Sequence, residues 1–90
     1  MTPVLIIART SEVFGVPAER ITGLSKAGGI VSEARTAAMW VLRDQGWGLQ
    51  DIATYLGRLD HTTVLYYLRK GDTLAGDPRW LRKLKKVAQV

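Results

Sequence analysis

The sequence has no cysteine and a single histidine, His61. The absence of cysteine excludes a disulfide framework, a thiolate metal site and a cysteine nucleophile, and one histidine cannot build a zinc centre unaided. The longest apolar run, residues 4–8, is far shorter than the ~20 residues of a membrane-spanning helix, and no basic residue precedes it as in a signal peptide. We therefore expect a cytoplasmic protein that has no metal, no cofactor and no small-molecule substrate and does not bind membranes.

Acidic residues are also few, and the positive charge is concentrated near the end of the chain. The 90 residues, 47% of them apolar, suffice for one domain over residues 1–90 and are too few for two. They include 13 Lys and Arg against 8 Asp and Glu, a net charge of +5. Residues 57–90 hold eight basic and three acidic residues, so the first 56 residues sum to zero. A neutral scaffold followed by a basic third indicates a surface that faces phosphates, and the alternative is a solvated helix face.

The spacing of apolar residues predicts an all-α fold. Thr2 and Pro3 supply an N-cap and a first-turn proline for a helix that ends at Phe14, before Gly15. Residues 4–8 could also form a buried strand, but no other segment shows the period-two alternation with which such a strand would pair.

Further helices follow from the same spacing rules. Apolar residues at i, i+3, i+4, i+7 and i+8 from Ala34 to Leu42 predict a central helix from Ser32 to about Gln45. The other predicted segments are a helical turn over 17–21, a loop over 25–29, a helix over 49–56, a helix that follows an Asp60 N-cap and stops at Gly71, and a helix over about 77–89 that opens with Asp77 and Pro78. The last helix has an apolar stripe of Trp80 or Leu81, Leu84 and Val87, and a basic stripe of Arg79, Arg82, Lys83 and Lys86. Residues 48–70 have the proportions of a helix-turn-helix in a compact bundle of five to six helices.

Residues 57–65 read GRLDHTTVL. This segment resembles the signature, GGRDHTTV or GKRDHTTV, of the C-terminal DNA-binding domain, domain IV, of the bacterial chromosomal replication initiator DnaA. Residues 35–40, RTAAMW, resemble that family's RQIAMYL, residues 49–52 resemble its LPEI, and residues 14–16 resemble its YFxV. The resemblance covers roughly residues 4–70 and implies an all-α fold of the DnaA domain IV or Trp-repressor type. It also implies either a free-standing copy or an excised domain, and the initial Met1 favours the free-standing copy.

The resemblance implies sequence-specific binding of double-stranded DNA, as in recognition of replication-origin boxes during replication initiation, at the nucleoid. An inserted recognition helix presents its opening residues to base edges in the major groove. The implied base contacts are Asp60, His61, Thr62 and Thr63, and the implied phosphate or groove contacts are Lys26, Arg35, Thr36, Arg58, Arg69 and Lys70. A simpler reading is that Asp60 only caps its helix. The chain has no GxxxxGK[ST] phosphate loop, and we expect no enzymatic activity.

Three departures from the family pattern leave other functions open. Lys26 is the one basic residue in a loop that is rich in basic residues in the family, Leu59 replaces an arginine, and Tyr67 replaces a small residue. The alternatives are a non-specific DNA-binding protein and a protein-interaction module, with an unknown partner, in which Leu59 and Tyr67 serve as apolar contacts. The tryptophans Trp40, Trp47 and Trp80 could stack on unpaired bases, but core packing is the favoured interpretation.

Overall fold

The computed structural model describes residues 2–23, 28–57 and 60–89. Over these ranges the chain forms helices and no strand, which confirms the all-α prediction. The helices are α1 (Pro3–Phe14), α2 (Ala18–Ile21), α3 (Gly29–Asp44), α4 (Leu49–Tyr55), α5 (His61–Leu74) and α6 (Pro78–Ala88).

The two predicted proline-opened helices, α1 and α6, begin where the caps placed them. Thr2 Oγ1 accepts a hydrogen bond from the Leu5 N–H at 3.2 Å, and Asp77 Oδ1 accepts one from the Arg79 N–H at 2.9 Å. Helix α1 ends at Gly15, which has a φ of 68° and donates its N–H to Ser11 O. This left-handed conformation is one that glycine adopts without a steric penalty.

Helix α3 is the centre of the bundle. Its predicted inner face, Ala34, Ala37, Ala38, Val41 and Leu42, is buried as expected. Helices α1 and α6 pack against each other and against α3, and α4 and α5 likewise pack against each other and against α3. Helix α3 thus connects the α1–α6 pair to the α4–α5 pair.

Two predicted boundaries are wrong. Helix α3 begins at Gly29, ahead of the predicted Ser32, and Gly29 has a φ of 56°, which glycine adopts without a steric penalty. Helix α5 does not stop at Gly71 but continues to Leu74. Gly71 is buried within the helix, and a side-chain carbon at this position would overlap the indole nitrogen of Trp40. Glycine stands here to admit Trp40, whose Nε1 donates to Leu68 O at 3.1 Å.

The tryptophans pack against the core, which confirms the favoured interpretation. Trp80 is fully buried and its Nε1 donates to Glu33 O at 3.1 Å, which fixes α6 on α3. Trp40 and Trp47 are half-buried against the core, and Trp47 makes an edge-to-face contact with Tyr55 at 5.6 Å between ring centroids. Because Val87 is also buried, the apolar stripe of α6 faces inward as predicted.

Candidate nucleic-acid interface

Helices α4 and α5 form the two helices of the predicted helix-turn-helix. Ile52 and Ala53 from the first helix, its C-cap Leu56 and Val64 from the second helix are fully buried, so the pair has its own share of the core. The turn leaves α4 through Gly57, which has a φ of 118°, and a side chain here would come within about 3 Å of the Gly23 backbone. A glycine at this position therefore lets the turn pack against the segment after α2, and the Gly23 N–H donates to Leu56 O at 3.0 Å.

The first turn of α5 is open to solvent. Asp60 is its N-cap: Oδ1 accepts from the Thr62 N–H and from the Thr62 hydroxyl, both at 2.9 Å. His61 Nδ1 lies 3.3 Å from the same oxygen, and the side chains of His61 and Asp60 are 57% and 64% exposed. Thr62 is exposed and Thr63 is half-buried. The structure thus shows Asp60 as a cap, and its Oδ2 is a second acceptor on the same exposed carboxylate.

The electrostatics of this turn favour a charged carboxylate on Asp60. The backbone hydrogen bond from Thr62 is the largest cause, followed by the bond from the Thr62 hydroxyl, and together they lower the pKa of Asp60 below its usual 3.8. The first turn of α5 therefore presents one fixed anionic acceptor beside an imidazole and two hydroxyl groups.

Two predicted DNA contacts in the middle of α3 lie inside the protein. Arg35 is only 4% exposed, and its Nε donates to Arg20 O at 3.0 Å and its Nη1 to Tyr67 Oη at 3.4 Å. Thr36 is fully buried and its hydroxyl donates to Ser32 O at 2.8 Å. The burial of both side chains argues against phosphate contact by either residue. Arg35 connects α3 to α2 and to α5, which makes it a positioning residue for α5.

The other predicted contacts fall into two groups. Arg69 is exposed and Lys70 half-buried in the second half of α5. Lys26 and Arg58 lie outside the described residues, as does Leu59, which the protein-interaction alternative invoked. Tyr67, the other residue of that alternative, is buried and therefore offers no apolar docking surface.

Tyr66 is an exposed residue on α5 that the sequence pattern did not single out. It is 60% exposed, and its ring meets that of Tyr67 edge to face with centroids 5.4 Å apart. Thr62, Tyr66 and Arg69 follow each other at i, i+4 and i+7, so they line one exposed face of α5. The signal was available in the sequence, because this face lies opposite Val64, Tyr67 and Gly71.

A comparison with known protein families identifies the family to which this helix-turn-helix belongs. The sequence profile described as the bacterial DnaA protein helix-turn-helix matches residues 3–70. The chain belongs to the bacterial DnaA helix-turn-helix family. Its helix-turn-helix is accordingly a DnaA-like DNA-binding domain, and α6 lies beyond the matched residues.

Two full-length members of the family illustrate the relation. The chromosomal replication initiator protein DnaA of Cutibacterium acnes is 38% identical over 80 residues, which are 88% of this chain and 16% of that protein. The chromosomal replication initiator protein DnaA of Thermus thermophilus is 34% identical over 83 residues, 91% of this chain and 19% of that protein. The chain thus spans less than a fifth of the length of these relatives. Among the described residues, no helix has the length and apolarity needed to cross a bilayer.

Proposed function

We propose that this chain, as a single non-enzymatic domain over residues 1–90, binds double-stranded DNA sequence-specifically by inserting the first turn of α5 into the major groove. The observation that carries the proposal is the exposed first turn, Asp60 to Thr63, in a helix-turn-helix of the DnaA family. A helix-turn-helix reads bases with the opening residues of its second helix. The expected target is related to the origin boxes that a chromosomal replication initiator recognises.

The chemistry of the first turn suits base edges. A charged carboxylate accepts from cytosine N4, threonine methyl groups contact the thymine methyl group, and threonine hydroxyls bond to base edges or phosphates. Asp60 is charged at neutral pH, because its usual pKa of 3.8 is already far below 7 and Thr62 lowers it further, and the capping bonds hold it in one orientation. His61 is exposed beside it and supplies a nitrogen acceptor or donor.

Phosphate contacts position the helix without reading sequence. Arg69 is exposed on the face that Thr62 begins, and Lys70 follows it. We assign phosphate contact to these two residues and to Lys26 and Arg58, which flank α3 and α5 in the sequence. Arg35 and Thr36 are left out because both are buried.

Selection from random duplex DNA followed by sequencing tests the proposal. The wild type should enrich one short motif, and Thr73→Ala, which alters an exposed threonine at the far end of α5, should enrich the same motif. The double variant His61→Ala/Thr62→Ala should lose the enrichment while it still binds random duplex. Binding without enrichment would show a non-specific DNA-binding protein, and an empty gel shift at low salt would contradict DNA binding altogether.

A further inference from the structure

Helix α6 carries a charge pattern that the helix-turn-helix does not explain. Its eleven residues, PRWLRKLKKVA, include five basic residues and no acidic one. We name them the α6 basic stripe: Arg79, Arg82, Lys83, Lys85 and Lys86. A solvated helix face ordinarily alternates charges of both signs, whereas like charges three or four residues apart destabilise a helix. Lys85 and Lys86 do suit the negative end of the helix dipole, but Arg79 and Arg82, near its start, do not.

The α6 basic stripe is held in one orientation. The opposite side of the helix is fixed in the core by Trp80 and Val87. On the α1 side, the Lys83 ammonium lies 5.2 Å from the centre of the Phe14 ring. The remaining four members of the stripe are exposed: Arg79, Arg82, Lys85 and Lys86. From Arg79 to Lys86 the stripe extends about 10 Å along the helix axis, roughly the rise of three phosphates along one DNA strand.

Acidic neighbours offset the charge of the stripe only in part. Asp77 Oδ1 is 3.7 Å from Arg79 Nε, in an exposed ion pair. Glu33 lines the same surface depression as Arg79 and Lys83, and Glu12 lines one with Lys86. Arg9 lies beside Glu12 and adds a further positive charge. Asp44 lines a depression with Leu84 and Ala88 near the end of α6. Six basic groups against four acidic ones leave this surface positive.

The α6 basic stripe and the first turn of α5 lie in different parts of the bundle. Helix α6 packs on α1 and α3, whereas α5 packs on α3 and α4. Trp80 at the start of α6 donates to Glu33 O of α3, whereas Tyr67 of α5 contacts Arg35, two residues further along and on the opposite face of α3. A duplex held by the first turn of α5 therefore leaves the α1–α6 side for another ligand.

We propose that the α6 basic stripe binds the phosphate backbone of a second duplex segment, so that one molecule bridges two stretches of DNA. This inference rests on the proposed function only for the first duplex, which the first turn of α5 holds. A membrane surface is the less suitable polyanion, because an interfacial helix inserts its apolar face and that of α6 is buried in the core.

A two-duplex capture experiment tests the bridging. A duplex carrying the selected motif is immobilised and saturated with protein, and retention of a labelled random duplex is then measured. The wild type should capture the second duplex, and Arg82→Gln/Lys86→Gln should capture at least tenfold less at equal occupancy of the first. The control Arg20→Gln/Arg43→Gln removes the same charge from exposed positions outside α6 and should capture within twofold of wild type. The slope of log affinity for the second duplex against log salt concentration should be smaller by about 1.8 in the stripe variant, because each phosphate that is no longer neutralised lowers this slope by about 0.9.

The outcomes separate the two proposals. Failure of the wild type to stay on the immobilised motif contradicts the proposed function, whereas retention without capture contradicts the bridging alone. Equal capture by wild type and stripe variant also overturns the bridging. Phosphatidylglycerol vesicles serve as the competing polyanion: loss of vesicle binding in the stripe variant without loss of duplex capture would assign the stripe to lipid instead.

Discussion

Substitution of Arg35 distinguishes a positioning residue from a phosphate contact. Arg35 is only 4% exposed, and its guanidinium donates to Arg20 O and to Tyr67 Oη. Hydrogen bonds from a charged group contribute about 1.5–3 kcal/mol each. Because Arg35→Ala removes these two bonds and leaves their acceptors inside the protein, we expect a loss of about 3–6 kcal/mol in the free energy of unfolding. At roughly 4–8 °C per kcal/mol for a domain of this size, the Tm should fall by at least about 12 °C.

Arg69→Ala is the matched control, because Arg69 is exposed on α5. An exposed substitution changes stability by no more than about 0.5 kcal/mol. Removal of one phosphate contact, however, should lower the slope of log affinity against log salt by about 0.9. Arg35→Ala should leave this slope unchanged when binding is measured at a temperature where the variant is folded.

Circular dichroism melts and salt titrations of DNA affinity provide the two readouts. If Arg35→Ala is too unstable to measure, Tyr67→Phe removes only the acceptor for Nη1, with an expected loss of about 1 kcal/mol and an unchanged salt slope. An Arg35→Ala domain that is as stable as wild type, with a slope about 0.9 lower, would refute the positioning role and restore the phosphate contact.

Two further predictions concern Gly71 and the pH dependence of stability. Gly71→Ala should lower the free energy of unfolding by about 1–3 kcal/mol, because the added methyl group displaces Trp40 and this outweighs the better helix propensity of alanine. In a Trp40→Leu background, urea unfolding should show that the same substitution is neutral or stabilising. The pKa of Asp60 is lower in the folded protein than its usual 3.8, so its contribution to stability is present above about pH 4 and is lost as the pH falls through the folded value. Asp60→Asn keeps the cap and has no carboxylate to protonate. Thermal melts from pH 5 down to about pH 2.5 should therefore show a smaller loss of stability for this variant than for wild type. Identical profiles of stability against pH would contradict the assigned pKa shift.

Local signals account for most of the helices. Thr2, Pro3 and Gly15 define α1 through interactions within five residues of each end, and the apolar spacing from Ala34 to Leu42 defines the buried face of α3. Gly71 misled the prediction because a glycine is also a stop signal. Its role in α5 depends on Trp40, which is 31 positions away in the sequence, and no local pattern encodes that contact.

The candidate site was predictable only in part, because the contacts of Arg35 also depend on a residue that is distant in the sequence. The family signature located the N-terminal turn of α5, and the structure exposes it. The same resemblance assigned Arg35 to DNA, but its acceptor Tyr67 replaces a small residue of the family pattern 32 positions along the chain. A substituted tyrosine on the buried face of α5 gives the arginine a partner within the protein.

The affinity of His61→Ala for the selected motif and for a random duplex tests the central claim most directly. His61 is exposed in the first turn of α5 and is not the cap, so the variant should keep the wild-type Tm. A base contact is worth about 1–3 kcal/mol, so its removal should weaken affinity for the motif roughly five- to hundredfold, and affinity for random duplex should stay within about twofold. Thr73→Ala should change neither affinity. Equal affinities of His61→Ala and wild type for the motif would contradict reading of the major groove by this turn.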